Sequence, residues 1–390
     1  MRGWLLIPLF LNITAVLTSW AEGSARLTGL TVRNGVLLSE GKPCHAIGVN
    51  YFSLASRILN DPTDTSSLSN LSALAKARIP FVRFMCGGYW PSEQQIYLTN
   101  REAFFERLDR VVHSAEQNHV GLIPSLFWYF PTVGDLAHEP MSELGNTNSR
   151  SIAFIKNYTR DIVSRYRRSP AIWAWEFGNE ASLSADLPNA AEHRPAVVPE
   201  LGTAPKRTEL DELTSSQLQV AFQEFARTVR ALDPERLIIS GNGAPRASAW
   251  HNTHERNWKT DDADQFSEIL FRDNPDPMSG ISIHVYPAEK AEPGINTLEI
   301  LLRAAQAAKT SGKPLVVGEF GVSRRAGSVE DQKTAFRKLL SELEKARVPL
   351  AAAWVFDFPS QNDDWNIDFK NDRSIFLKMI ADTNKQLDAR

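Results

Sequence analysis

Ala171-Ile-Trp-Ala-Trp-Glu-Phe-Gly-Asn-Glu180 is an apolar, β-type run that gives way at its end to a glycine, an amide and a carboxylate. Pro314-Leu-Val-Val-Gly-Glu319 repeats the arrangement, with Glu319 closing a short Val-rich strand. Around these two segments, strand-like and helix-like stretches alternate along the whole chain. Further strands are predicted over His45–Tyr51, Phe81–Cys86, Gly121–Phe127, Leu237–Gly241, Gly280–Tyr286 and Leu350–Phe356. Apolar residues at i, i+3, i+4 spacing predict helices over Ser67–Ala77, Arg101–Asn118, Ser149–Arg167, Thr214–Leu232, Thr297–Ser311 and Glu330–Ala346. Asp262–Phe271 has the weakest pattern, and Ser374–Leu387 completes the set. Eight strands each followed by a helix predict an α/β fold, a (β/α)8 TIM barrel. In such a barrel the C-terminal ends of the strands carry the chemistry, and both glutamates stand there.

Leu30-Thr-Val-Arg-Asn-Gly-Val-Leu-Leu precedes the first barrel strand and reads as a short N-terminal β-hairpin, turning at Asn34-Gly35. It is expected to plug the bottom of the barrel. Met1 to Ala25 reads as a secretory signal: Arg2 is the positive start, Leu5 to Leu17 the apolar core, Ser19 and Ala21 the cleavage region. Pro8 and Asn12 interrupt the run, which is too short to span a bilayer, so no membrane anchor is expected. Residues 26–390 then form a single catalytic domain in a secreted or periplasmic protein, expected to be a monomer. With 390 residues, 43% hydrophobic, and a formal charge of -3, the chain has no basic block and no electrostatic reason to bind nucleic acid. Its two cysteines, Cys44 and Cys86, would lie at opposite mouths of the barrel, beyond the reach of about 7 Å that a disulfide allows. No His/Cys cluster has metal-ligand spacing, so neither metal nor cofactor is expected.

Two carboxylates at one barrel mouth suit acetal cleavage, where one protonates the leaving oxygen and the other meets the developing positive carbon. That work needs the pair in different environments. Strand alternation puts Glu176, Gly178 and Glu180 on one face, and His284 and Tyr286 on another inward face. Arg83, inward in the second strand, would favour the ionised form of a neighbouring carboxylate, or pair with the deeper Glu176. Asn179 would orient a sugar hydroxyl, Tyr286 would donate to Glu319, and Trp354 would offer an apolar platform. Ten tryptophans supply both core and candidate platforms. Trp173 and Trp175 are expected to face the helices; Trp90, Trp128, Trp250, Trp258 and Trp365 lie in or beside loops at the mouth. Loops 181–212 and 242–265 are long enough to wall that mouth.

These motifs together resemble glycoside hydrolase family 5 of clan A, the cellulase and β-mannanase family. The resemblance rests on Trp-Glu-x-x-Asn-Glu at 175–180, Gly-Glu-Phe-Gly at 318–321 and His-x-Tyr-Pro at 284–287. Arg83, the opening Gly48-Val-Asn50-Tyr and the late Trp354 extend it over nearly the whole barrel. It implies a retaining mechanism with Glu180 as acid/base and Glu319 as nucleophile, acting on a polysaccharide or oligosaccharide substrate. It also implies a sugar subsite lined by Arg83, Asn179, His284, Tyr286, Trp354, Trp128 and Asn50. Two departures stand out. Ala181 follows Glu180 where many members have Pro, and Ile123-Pro-Ser-Leu-Phe-Trp128 lacks the third-strand histidine common in the cellulases. The aromatic third strand and Ser-Ile-His-Val-Tyr-Pro lean toward the mannanase branch, while the long loops leave exo-action or transglycosylation open. A non-catalytic carbohydrate-binding barrel is the reading from another class.

Overall fold

The computed structural model describes residues 29–89, 91–287 and 296–387. The leader expected over Met1 to Ala25, and Trp90, lie outside them. The chain starts as an antiparallel sheet of β1 (Leu30–Arg33), β2 (Val36–Ser39) and the short β3 (Lys42–Pro43). Asn34 and Gly35 both take positive φ, 52° and 75°, which gives the turn the backbone twist a two-residue hairpin needs.

Eight parallel strands follow, in the spatial order β8-β7-β6-β5-β4-β11-β10-β9. They are β4 (Ala46–Asn50), β5 (Phe81–Met85), β6 (Gly121–Phe127), β7 (Ala174–Gly178), β8 (Leu237–Ile239), β9 (Ile281–Val285), β10 (Leu315–Phe320) and β11 (Leu350–Ala353). No ladder joins β8 to β9, but the amides of Ser279 and Gly280 donate to the Ile238 carbonyl at 3.0 and 3.2 Å and draw the seam together. Helices alternate with the strands as expected. Their starts carry local signals, such as Asn100 accepting from the Ala103 amide and the Ser328/Asp331 capping box at Val329–Lys345. Among the described residues, no helix is long and apolar enough to cross a membrane.

The barrel interior is layered. At the bottom, Leu30 and Leu37 of the hairpin pack with Phe81, Ile123, Leu237, Ile239, Val316 and Leu350. The hairpin does plug the floor. Gly48 makes room for Phe81, since a Cβ there would lie 2.3 Å from the Phe81 carbonyl oxygen and 2.7 Å from its ring. Trp173 belongs to this floor, stacked on Phe81 at 5.4 Å, and does not face the helices. It stands just before β7, and although its amide still donates to the Leu122 carbonyl at 2.9 Å, its ring departs from strand alternation. Trp175 does face outward, fully buried among the helices, with its indole N–H on Asp233. Both cysteines are free; Cys86 is buried, and burial pushes its thiol up to about 12.

The sequence reading missed the short helices Leu54–Asn60, Pro91–Thr99, Pro131–Ala137 and Ala249–Glu255, which are pieces of about two turns inserted at the mouth. Loop 181–212 is built of four 3-10 turns rather than open coil. The two long loops are tied to each other. Arg246 donates to the carbonyls of Ser182, Leu183 and Ala185 at 2.8–2.9 Å, and Asp186 accepts from Thr253 at 3.0 Å. Buried Arg207 pins the far end of the first loop to Asp135 at 2.8 Å.

Candidate active site

Arg83 is the hub of the upper barrel. Strand alternation points it inward from β5 above Phe81, where it is 1% exposed. Its Nε donates to both oxygens of Glu176 at 2.8 and 2.9 Å, one Nη to Glu319 at 2.7 Å and to Asn50 at 2.9 Å, the other to Asn179 at 2.8 Å. Pairing with Glu176 and approaching the upper carboxylate are therefore not alternatives; one guanidinium does both. Burial works against its charge, but Glu176 and Glu319 outweigh that and hold its pKa above the usual value.

Glu319 owes its direction to an irregularity. Val316 faces in and Val317 faces out, so strict alternation would send Glu319 toward the helices. The ladder with β9 shifts between Val317 and Glu319, leaving Gly318 as a bulge and turning Glu319 into the barrel. Gly318 must lack a side chain, because a Cβ would sit 2.7 Å from His284 Nε2. The Asn50 amide holds the bulge, donating to the Gly318 carbonyl at 2.9 Å. Each Glu319 oxygen then accepts one strong bond, from Arg83 at 2.7 Å and from the Tyr286 hydroxyl at 2.5 Å. Burial and the neighbouring Glu319 charge raise the Tyr286 pKa well above its ordinary value, so the phenol stays a donor.

Glu180 is held differently. It lies past the end of β7 in the left-handed region, φ 50°, with its amide donating to the Gly241 carbonyl at 2.9 Å. The side chain is 33% exposed and, among the described residues, has one hydrogen-bond partner, His284 Nδ1 at 2.9 Å. Burial alone would raise the Glu180 pKa, but the His284 hydrogen bond and charge, with Arg83 behind them, bring it below the ordinary 4.5. His284 is 4% exposed, and its Nδ1 also lies 3.6 Å from Glu319. One oxygen of each glutamate and a His284 nitrogen lie within 4.8 Å of one another. The sequence showed no ligand spacing, yet three strand ends assemble a group compact enough for a cation. Its donor atoms are already engaged by Arg83, Tyr286 and one another, and the fixed Arg83 charge disfavours a second cation beside it.

Aromatic rings roof this pair. Trp128 covers Arg83 at 4.4 Å and lies nearly parallel to Trp354, 6.0 Å away. Trp354 is fixed by its indole N–H on Gln361 at 3.0 Å. All nine expected site residues thus converge on one mouth. Asn50, however, is wholly buried with both ends of its amide occupied, so it supports the site from below. Of the other mouth tryptophans considered as platforms, Trp365 joins the site, edge-on to Tyr286 at 5.0 Å. Two contributors were not anticipated as site residues: Phe52, edge-on to Trp128 at 5.2 Å, and Gln361. Phe52 directly follows the Asn50-Tyr51 motif, which was the available signal. Trp250 and Trp258 lie elsewhere, the first bonded to Glu268 and stacked on His254, the second 55% exposed.

The family profile described as Cellulase (glycosyl hydrolase family 5) matches residues 39–356. A mannan endo-1,4-beta-mannosidase A of Podospora anserina is 40% identical over 80 residues, 19% of this chain and 21% of that protein. A probable mannan endo-1,4-beta-mannosidase C of Aspergillus terreus is 28% identical over 232 residues, 55% of this chain and 50% of the relative. The chain therefore spans half or less of the length of these relatives. Among solved structures, the endo-1,4-beta-mannanase of Rhizomucor miehei superposes with a TM-score of 0.66 at 15% identity, covering 93% of this chain and 100% of that one. That likeness is one of fold.

Proposed function

The chain belongs to glycosyl hydrolase family 5, and we propose that it is a retaining endo-β-1,4-glycanase acting on mannan-type chains. The observation that carries the mechanism is the spacing of the two glutamates across one mouth. Their nearest oxygens lie within 4.8 Å, close to the ~5–5.5 Å of retaining enzymes and short of the ~6.5–9.5 Å that an inverting water needs.

The contrast in their surroundings supports a division of roles. Glu319, with both oxygens bonded and 6% of its side chain exposed, has a fixed line of approach and attacks the anomeric carbon. A covalent glycosyl ester forms as the bond to the leaving oxygen breaks. Glu180, partly exposed and bonded to His284, gives that oxygen its proton and afterwards takes one from the water that releases the sugar. The His284 bond and the Arg83 charge hold Glu180 below its ordinary pKa, the wrong side for an acid. A sugar filling the mouth excludes water and strengthens the burial effect, which favours the proton on Glu180.

The mannan assignment follows the relatives' names and the aromatic third strand, with Trp128 where cellulases commonly have a histidine. Exo-action is the second reading, favoured by the mutual ties of loops 181–212 and 242–265, which would close one end of a cleft. The signal-like Met1 to Ala25 supports action outside the cytoplasm. The decisive experiment is Glu319→Ala, which should abolish turnover and regain it with azide on an activated aryl glycoside. Glu180→Ala should keep activity on that substrate and lose it on galactomannan. Parent-like turnover by Glu319→Ala would end the assignment. Mixed oligosaccharides early in galactomannan digestion indicate endo-action, and a single small sugar indicates exo-action.

A further inference from the structure

We propose that the floor of the barrel, the face opposite the two glutamates, is a docking surface for an acidic polysaccharide. Two clefts of about 600 and 530 Å³ open there and meet at Cys44 and His45. The first is lined by Lys42, His45, Arg78, His119 and Lys385, the second by His45, Lys309, Lys313 and Arg347. Neither lining includes an aspartate or a glutamate, in a chain with 46 acidic against 43 basic residues. Among the described residues, Lys42, Arg78, Lys385, Lys309 and Arg347 make no ion pair; Lys313 alone does, with the exposed Asp276 at 2.9 Å.

Helix C-termini point to this end of a (β/α) barrel and attract cations, which accounts for Arg78, His119 and Arg347 just past helix ends. That effect does not reach Lys42, in β3, or His45, in the link between β3 and β4. Nor does it require carboxylates to be absent from both clefts. The rest of the lining favours a glycan over a bare anion. Trp173 brings apolar ring surface to the first cleft, and Ser39, Asn118 and Asn384 stand around it. Cations for carboxylates beside an indole for a pyranose face are the chemistry of uronate recognition. The joined clefts form an extended track, which suits a polymer with charges repeating along it.

This surface stands apart from the mouth, so the inference holds or falls separately from the hydrolytic reading. The test is binding of polygalacturonate to the full chain, measured by affinity electrophoresis and calorimetry. The triple variant Lys42→Glu/Arg78→Glu/Lys385→Glu should bind at least about tenfold more weakly, and roughly 0.5 M salt should weaken the parent likewise. The neutral triple variant, with Gln at the same positions, should fall between them. Unchanged turnover on soluble galactomannan reports that each variant is folded. Equal binding by parent and charge-reversed chain would overturn the proposal. Inorganic polyphosphate binding as tightly as polygalacturonate would overturn its glycan part.

Discussion

Replacing Arg83 by Met separates what the guanidinium does for the fold from what it does for the site. The substitution conserves approximate volume and removes every donor. It strands Glu176, 0% exposed, and Glu319, 4% exposed, without their shared counter-charge. Breaking a buried pair from one side costs about 3–5 kcal/mol, because the remaining charge has no compensation. Glu176→Gln in the same chain removes the deeper stranded charge, so the double variant should recover part of the loss, with a coupling energy of about 0.5–3 kcal/mol. Turnover should not recover. Glu319 and Asn179 still lack the donor that aims them, and misplacement of reacting groups by about 1 Å costs on the order of 10²-fold in rate. Urea unfolding followed by tryptophan fluorescence reads the first quantity, and initial rates on an aryl β-mannoside read the second. The reasoning is refuted if Arg83→Met loses less than about 1 kcal/mol. Recovery of rate in step with stability in the double variant would refute it equally.

Gly241 takes φ 76°, and a Cβ there would lie 1.9 Å from the Gly178 carbonyl, under the turn that carries Glu180. Gly241→Ala should therefore destabilise the fold by about 1–3 kcal/mol and lower kcat more than it raises KM; a pure stability effect with parent kinetics would contradict this. The depressed pKa of Glu180 gives a stability increment that is complete above its unfolded value of 4.5 and lost as pH falls through the lower native value. His284→Ala removes the hydrogen bond and charge that depress it and leaves burial, which acts upward. Thermal midpoints between about pH 5 and pH 3 should fall more steeply for the parent than for the variant, and parallel curves would remove the Glu180–His284 coupling.

Regular repetition made most of the barrel legible from sequence. Gly121–Phe127 and the helix Arg101–Asn118 stand where their patterns put them, because a two-residue period and a 3.6-residue period are properties of the chain itself. What escaped was set by contacts between segments. The short helices at the mouth have too few turns to show a period, and they are held by what they pack on. Trp173 looked like an outward strand residue and proved to be floor, its ring stacked on Phe81. Glu319 is the instructive case. Its placement at the end of an apolar strand identified it correctly, yet alternation along that strand would have turned it away from the barrel. Gly318, Asn50 and His284, from three different strands, together bend the chain by one residue and reverse that outcome. The aim of Glu319 is thus a tertiary property, and a side chain at position 318 should cost function before it costs the fold.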